Sequence, residues 1–158
     1  MAEVKPSQSG GLPSWLPWAT TILSLIGLAL SIYLTYAHYS SPTVLACPEK
    51  GIINCAKVTT SSYSEILHVP LAVLGLLFFV GLTPLMLPWT WRRTEKWLIW
   101  GRLAMAGSGI LMIFWLIYVE LYKLNAICAY CTGVHIVTLS VFGLTAYGAA
   151  LVLDSADK

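Results

Sequence analysis

Charge is the scarcest property of this chain. Asp, Glu, Lys and Arg make up 10% of its 158 residues and hydrophobic residues 58%, against roughly 25% and about 45–50% in soluble domains. No charged residue occurs between Lys5 and Glu49, Glu65 and Arg92, Arg102 and Glu120, or Lys123 and Asp154. Four such gaps in so short a chain set aside a soluble fold. A net charge of +2 with no basic stripe gives nucleic acid no footing as a partner. Haem, flavin and nucleotide motifs are missing, as are repeats, low-complexity tracts and a second domain. Redox chemistry therefore has only the four cysteines to work with.

A membrane-crossing helix needs about 20 mostly apolar residues, within a range of about 17–25. The gaps predict four spans: Trp18–Tyr39, Ile66–Leu87, Arg102–Val119 and Ile127–Leu151. The expected fold is all-α, an integral-membrane four-helix bundle over residues 17–152, with cytoplasmic tails at 1–16 and 153–158. Span one is expected to stay in the mature protein, because it is long for a signal sequence and carries Trp15 and Trp18 as interfacial anchors. Span three is the weakest by length; Arg102 and Glu120 bracket it and are expected to reach the interfaces from its ends. Gly101, Gly107 and Gly109 predict close helix approach there.

Lys and Arg collect on cytoplasmic loops, and Arg92, Arg93 and Lys96 lie between spans two and three. That places both termini in the cytoplasm and the 39–65 loop on the far side, with the turn near residue 125. Within the loop, Pro42, Pro48 and Gly51 are breakers. Ser62-Tyr63-Ser64-Glu65 has the form of a capping box ahead of span two. Tyr33, Tyr36 and Tyr39 form an aromatic edge, and Pro84 is a candidate kink.

All four cysteines then lie on one face, the compartment where disulfides persist. Cys47 and Cys55 flank the polar loop, and Cys128-Ala-Tyr-Cys131 opens the last span. At a helix start the first cysteine of such a motif feels the positive end of the dipole, which favours thiolate. Asn125 is a candidate cap. Zinc is disfavoured, because the loop pair lacks short ligand spacing. Two static disulfides are the plainer alternative, as in a non-enzymatic membrane scaffold. Against that, a bridge within one helical turn closes too short a loop to constrain the unfolded chain much. A redox pair at the membrane edge needs an electron acceptor, and a lipid-soluble quinone is the natural one. It requires an apolar pocket with a few hydrogen-bonding groups; Ser61, His68 and His135 are the polar candidates, while Tyr118, Glu120 and Tyr122 read as interfacial.

Cys47-x7-Cys55, Lys57-Val58, Ser61-Ser62-x-Ser64-Glu65, Val69-Pro70 and Cys128-x-x-Cys131, in this order, resemble the vitamin K epoxide reductase family. The resemblance implies a four-helix bundle around a quinone of ubiquinone or menaquinone type. It implies that Cys131 reacts with the quinone and that Cys128 is its disulfide partner. Cys55 would be the shuttle that attacks Cys128, and Cys47 the residue that exchanges with an external thiol protein. Ser61 occupies a position that binds quinone oxygen in the family. The chain departs from the vertebrate branch in reading Val134-His135-Ile136 where that branch has Thr-Tyr-Ala. Many members carry a fused thioredoxin-like domain; the sequence stops at Lys158, which implies either a separate partner protein or a domain beyond that point.

The expected function is thus a quinone-dependent, disulfide-forming oxidoreductase of the prokaryotic plasma membrane. Its expected partner is a separate extracytoplasmic (periplasmic) thioredoxin-fold protein, and its active site faces away from the cytoplasm. Reduction of a quinone epoxide is the alternative activity.

Overall fold

The computed structural model describes residues 12–156 apart from 42, 43, 48, 49, 67 and 94. Most of the tail expected at 1–16 therefore lies outside the described residues, as do Pro42 and Pro48. Among the described residues, three helices are long and apolar enough to cross a membrane: Trp15–Ser40, Lys96–Leu124 and Ala129–Asp154. We number the elements α1 (Trp15–Ser40), α2 (Cys55–Thr59), β1 (Glu65–Ile66), β2 (Val69–Pro70), α3 (Leu71–Met86), α4 (Pro88–Trp91), α5 (Lys96–Tyr118) and α6 (Ala129–Ala156). A π-helical segment, Val119–Leu124, extends α5. Helix α1 packs on α3 and α6, and α5 closes the arrangement against both. The last helix runs to Ala156, through residues expected to begin the C-terminal tail.

The second apolar run departs from expectation. Its helix begins at Leu71, not Ile66, and is 16 residues long. A helix starting at Ile66 would carry Pro70 beyond its first turn, where the ring meets the carbonyl four residues back and Val69 is pushed extended. The chain instead makes a small antiparallel hairpin, Glu65 opposite Pro70 and Ile66 opposite Val69. His68 turns it in the left-handed region at φ 64°. The supposed capping box is consequently a turn: the Ser64 amide and hydroxyl both bond the Ser61 carbonyl, at 2.9 and 2.7 Å.

Arg102 departs from expectation too. It is 2% exposed, inside α5, because α3 breaks at Leu87-Pro88 and leaves carbonyls to be satisfied. Its Nε donates to the Leu85 carbonyl at 3.0 Å, its terminal nitrogen donates to the Thr90 carbonyl, and its Cζ lies 4.4 Å from the Trp91 ring centroid. The Thr21 hydroxyl meets the Met86 carbonyl at 2.6 Å. A buried charge fixed this way does not shorten the span, so the third span is the longest at 29 residues.

The main core gathers Leu16, Phe79, Leu82, Met86, Trp91, Ala106, Val137 and Val141. Close approach falls on one of the expected glycines, Gly109, and on two others, Gly27 and Gly148. A Cβ on Gly27 would lie 2.2 Å from the Phe79 ring, and one on Gly148 would meet Trp91 and Leu16. Of the three glycines in α5, Gly109 alone is crowded, by Phe78 and Thr138; Gly107 has ordinary contact and Gly101 faces open space. Gly27→Ala should lower the unfolding free energy in detergent by about 1–3 kcal/mol through overpacking. Gly101→Ala should be neutral or stabilise by roughly 0.5–1 kcal/mol. Equal thermal shifts in the two variants would refute this packing.

Candidate active site

Two backbone hydrogen bonds assemble the site. The Ile127 amide donates to the Ile52 carbonyl at 2.8 Å, and the Asn54 amide donates to the Ile127 carbonyl at 3.1 Å. They make a parallel bridge between Ile53 and Ile127. One residue beyond each strand of this bridge comes a cysteine: Cys55 after Asn54, Cys128 after Ile127. The Asn54 side chain accepts the Lys57 amide at 2.8 Å, starting α2 at Cys55. Cys55 and Cys128 sit in one apolar cluster with Leu34, Ala37 and Leu45, and Cys47 and Cys131 pack against it.

Within this cluster Cys47 and Cys55 are joined as a disulfide with Cα atoms 6.1 Å apart, while Cys128 and Cys131 are free thiols. Their exposure is graded. Cys55 and Cys128 are 1% and 0% exposed; Cys47 and Cys131 are half-buried. The chain ahead of Cys47 is held by two tyrosines, Tyr33 bonding the Val44 carbonyl at 2.9 Å and Tyr130 the Ala46 carbonyl at 3.3 Å. Their rings lie 5.2 Å apart. Tyr33 thus ties down the loop, whereas Tyr36 and Tyr39 remain exposed as expected of an aromatic edge.

Asn125 does not cap α6. It adopts the left-handed conformation at φ 46°, ψ 43° and ends the π-helical segment. The residue ahead of α6 is Cys128 itself, whose sulfur accepts the Cys131 amide at 3.3 Å in the manner of an N-cap side chain. The Cys128 thiol is accordingly held below the usual thiol range. Its hydrogen bond with the Cys131 side chain is the largest cause, opposed by burial and by the charge of Glu120.

Cys131 opens onto a cavity of about 340 Å³ bounded by all four long helices and the loop, within the size range of small-molecule sites. Its walls are mostly apolar, including Leu34, Leu74, Phe78, Met112 and Val134. Of the predicted polar residues, Ser61 and His135 line it; His68 is exposed on the hairpin turn. The Ser61 hydroxyl donates to the Val58 carbonyl at 2.9 Å, so its proton is already engaged. His135 is 5% exposed, and among the described residues its ring has no hydrogen-bond partner. A buried imidazole without a protein partner beside an apolar space suits a ligand carbonyl, so a quinone ring fits these residues.

Two wall residues were missed by sequence reasoning. His38 lines the cavity from α1, on the same face as Ser31 and Leu34 at spacings of three and four. Glu120, expected at the interface, is 6% exposed and lines the same wall as Gly109, Ile113 and Leu116. That stripe at spacings of four, three and four was the available signal.

The vitamin K epoxide reductase family model matches residues 18–146. The chain belongs to this family. Membership, with the three apolar helices, makes it an integral-membrane oxidoreductase, and the family is quinone-linked and thiol-based in general. The match covers every element from α1 to most of α6, including the cavity and all four cysteines.

In a Cys47→Ala/Cys55→Ala background, ultraviolet titration should show a thiolate forming below the usual thiol range. Adding Cys131→Ala removes the main stabilising hydrogen bond and should move the Cys128 midpoint upward. No movement would refute the assigned cause.

Proposed function

We propose that this chain is a quinone-dependent disulfide-forming enzyme of the prokaryotic type, served by a separate extracytoplasmic thioredoxin-fold protein. The observation that carries the reading is the graded exposure of four clustered cysteines, accessible at the two ends and buried in the middle. On this reading Cys47 exchanges with the partner thiol, Cys55 attacks the buried Cys128, and Cys131 works at the cavity. The order agrees with what the family resemblance implies. Vitamin K recycling of the vertebrate kind is less favoured, since His135 stands on the cavity wall within the segment where that branch has Thr-Tyr-Ala.

A quinone bound in the cavity supplies an acceptor for two electrons and two protons. His135 orients it through a carbonyl oxygen, and Leu34, Phe78 and Met112 exclude water. The dithiol of Cys128 and Cys131 closes to a disulfide. Thiol–disulfide exchange with the loop pair then reopens it, leaving the loop oxidised for the next partner thiol. We read α1, α3, α5 and α6 as a four-helix membrane bundle, with α3 the short member. Arg92 and Arg93 are exposed beside Trp91, which packs on Leu16 at the start of α1, away from the cysteine cluster. This supports cytoplasmic termini and an extracytoplasmic cysteine face.

The test is anaerobic mixing of detergent-purified, reduced protein with ubiquinone and menaquinone analogues, following quinol absorbance together with thiol count. Stoichiometric quinol with loss of thiols is expected, and Cys131→Ala should abolish it. Cys47→Ala should still form quinol yet fail to oxidise a thioredoxin-fold dithiol protein. Quinol formation by Cys131→Ala at the wild-type rate would overturn the proposal.

A further inference from the structure

Glu120 is a carboxyl group enclosed in protein, 6% exposed, with no ion-pair partner among the described residues. It belongs to a π-helical segment, a rare backbone form that concentrates at functional sites. The segment is closed by the Asn125 and Ala126 amides, both donating to the Glu120 carbonyl. Its side chain shares the cavity wall with Cys131 and His135, close enough to Cys128 and Cys131 for its charge to bear on both free thiols. The backbone contacts close the segment whatever the side chain, and a glutamine or a leucine would fill the wall without an enclosed charge.

The chemistry of the neighbouring thiols has a use for such a group. Oxidation of the Cys128–Cys131 dithiol forms one S–S bond, breaks two S–H bonds, and releases two electrons and two protons. Under the reading above, those electrons and protons are the ones that convert quinone to quinol. The Cys128 sulfur already accepts the Cys131 amide at 3.3 Å, an arrangement that suits its thiolate, so the Cys128 proton needs an acceptor. We propose that Glu120 is the proton acceptor for Cys128: its carboxylate oxygen takes the Cys128 proton as the thiolate forms. It gives that proton up inside the cavity as the disulfide closes, returning to the carboxylate. One proton is thereby shared between Cys128 and Glu120.

The other ionisable groups facing Glu120 are few. His135 comes from α6 and His38 from α1, both on the cavity wall, with Tyr63 from the loop. Helix α3 carries no ionisable side chain, and Lys57 on α2 and Lys123 on the π-helical segment are exposed. Neither lysine is placed to substitute for Glu120 within the cavity.

The inference rests on the quinone-reducing reading, and two readouts separate their failures. In the Cys47→Ala/Cys55→Ala background, Glu120→Gln keeps size and polarity but cannot carry the proton. Without quinone, its thiolate absorbance should appear at lower pH than in the Glu120 protein, because a negative neighbour has been removed. With a quinone analogue, its dithiol oxidation should slow roughly a hundredfold and show an altered pH profile, while Glu120→Asp recovers part of the rate. An unshifted thiolate titration overturns the inference whether or not quinone is reduced. A shifted titration with an unchanged rate and pH profile also overturns it. A shifted titration in protein whose Glu120 form makes no quinol upholds the shared proton and overturns the quinone reading instead. Matching thermal stability in Glu120→Gln and Glu120→Asp shows that the comparison is made on folded protein.

Discussion

The short parallel bridge between Ile53 and Ile127 is the contact on which the site depends. Without the Ile127–Ile52 and Asn54–Ile127 hydrogen bonds, Cys55 would sit on a polar loop and Cys128 at the start of a distant helix. The bridge aligns the two segments so that the residues following it are the cysteines. Because it is made of backbone, it leaves side chains free for other work: Asn54 starts α2, and the cysteines fill the apolar cluster. Tyr33 and Tyr130 then restrain the chain before Cys47 through carbonyl hydrogen bonds.

The helices serve this arrangement by leaving space at one end and none at the other. Around Leu16, Met86 and Trp91 the packing is dense; glycines at 27 and 148 stand where no Cβ fits. Arg102 meets the carbonyls left by the early end of α3 and so closes that end with a charge. Toward the cysteines the same helices part, and the cavity opens between α1, α3, α5 and α6. Interiors pack at nearly crystalline density, so a cavity of this size beside a free thiol is a place for a ligand, not a packing fault.

Much of this was legible in the sequence, for identifiable reasons. Apolar runs without charge reveal helices because lipid tolerates little else, and the cysteine pairs reveal themselves by spacing. What escaped was set by contacts far apart in the chain. Arg102 looked like the end of a span, since its partners Leu85 and Thr90 lie on other elements. Ser62 through Glu65 matched a capping box, and the proline five residues on overruled it. Glu120 was taken for an interfacial residue because a charge near a helix end usually is; its stripe with Gly109, Ile113 and Leu116 pointed inward instead. Asn125 was credited with a cap that the Cys128 sulfur supplies itself.

Burial also bears on why a thiol enzyme would hold two pairs where one might suffice. Cys128 has no exposed surface, so no external protein can bring a sulfur into line with it. A neighbour already inside the cluster can, and Cys55 is the one the backbone bridge places alongside. On the proposed function, separating the loop pair from the cavity pair would let the chain meet a protein at one sulfur and a lipid-soluble acceptor at another. The two never compete for the same surface.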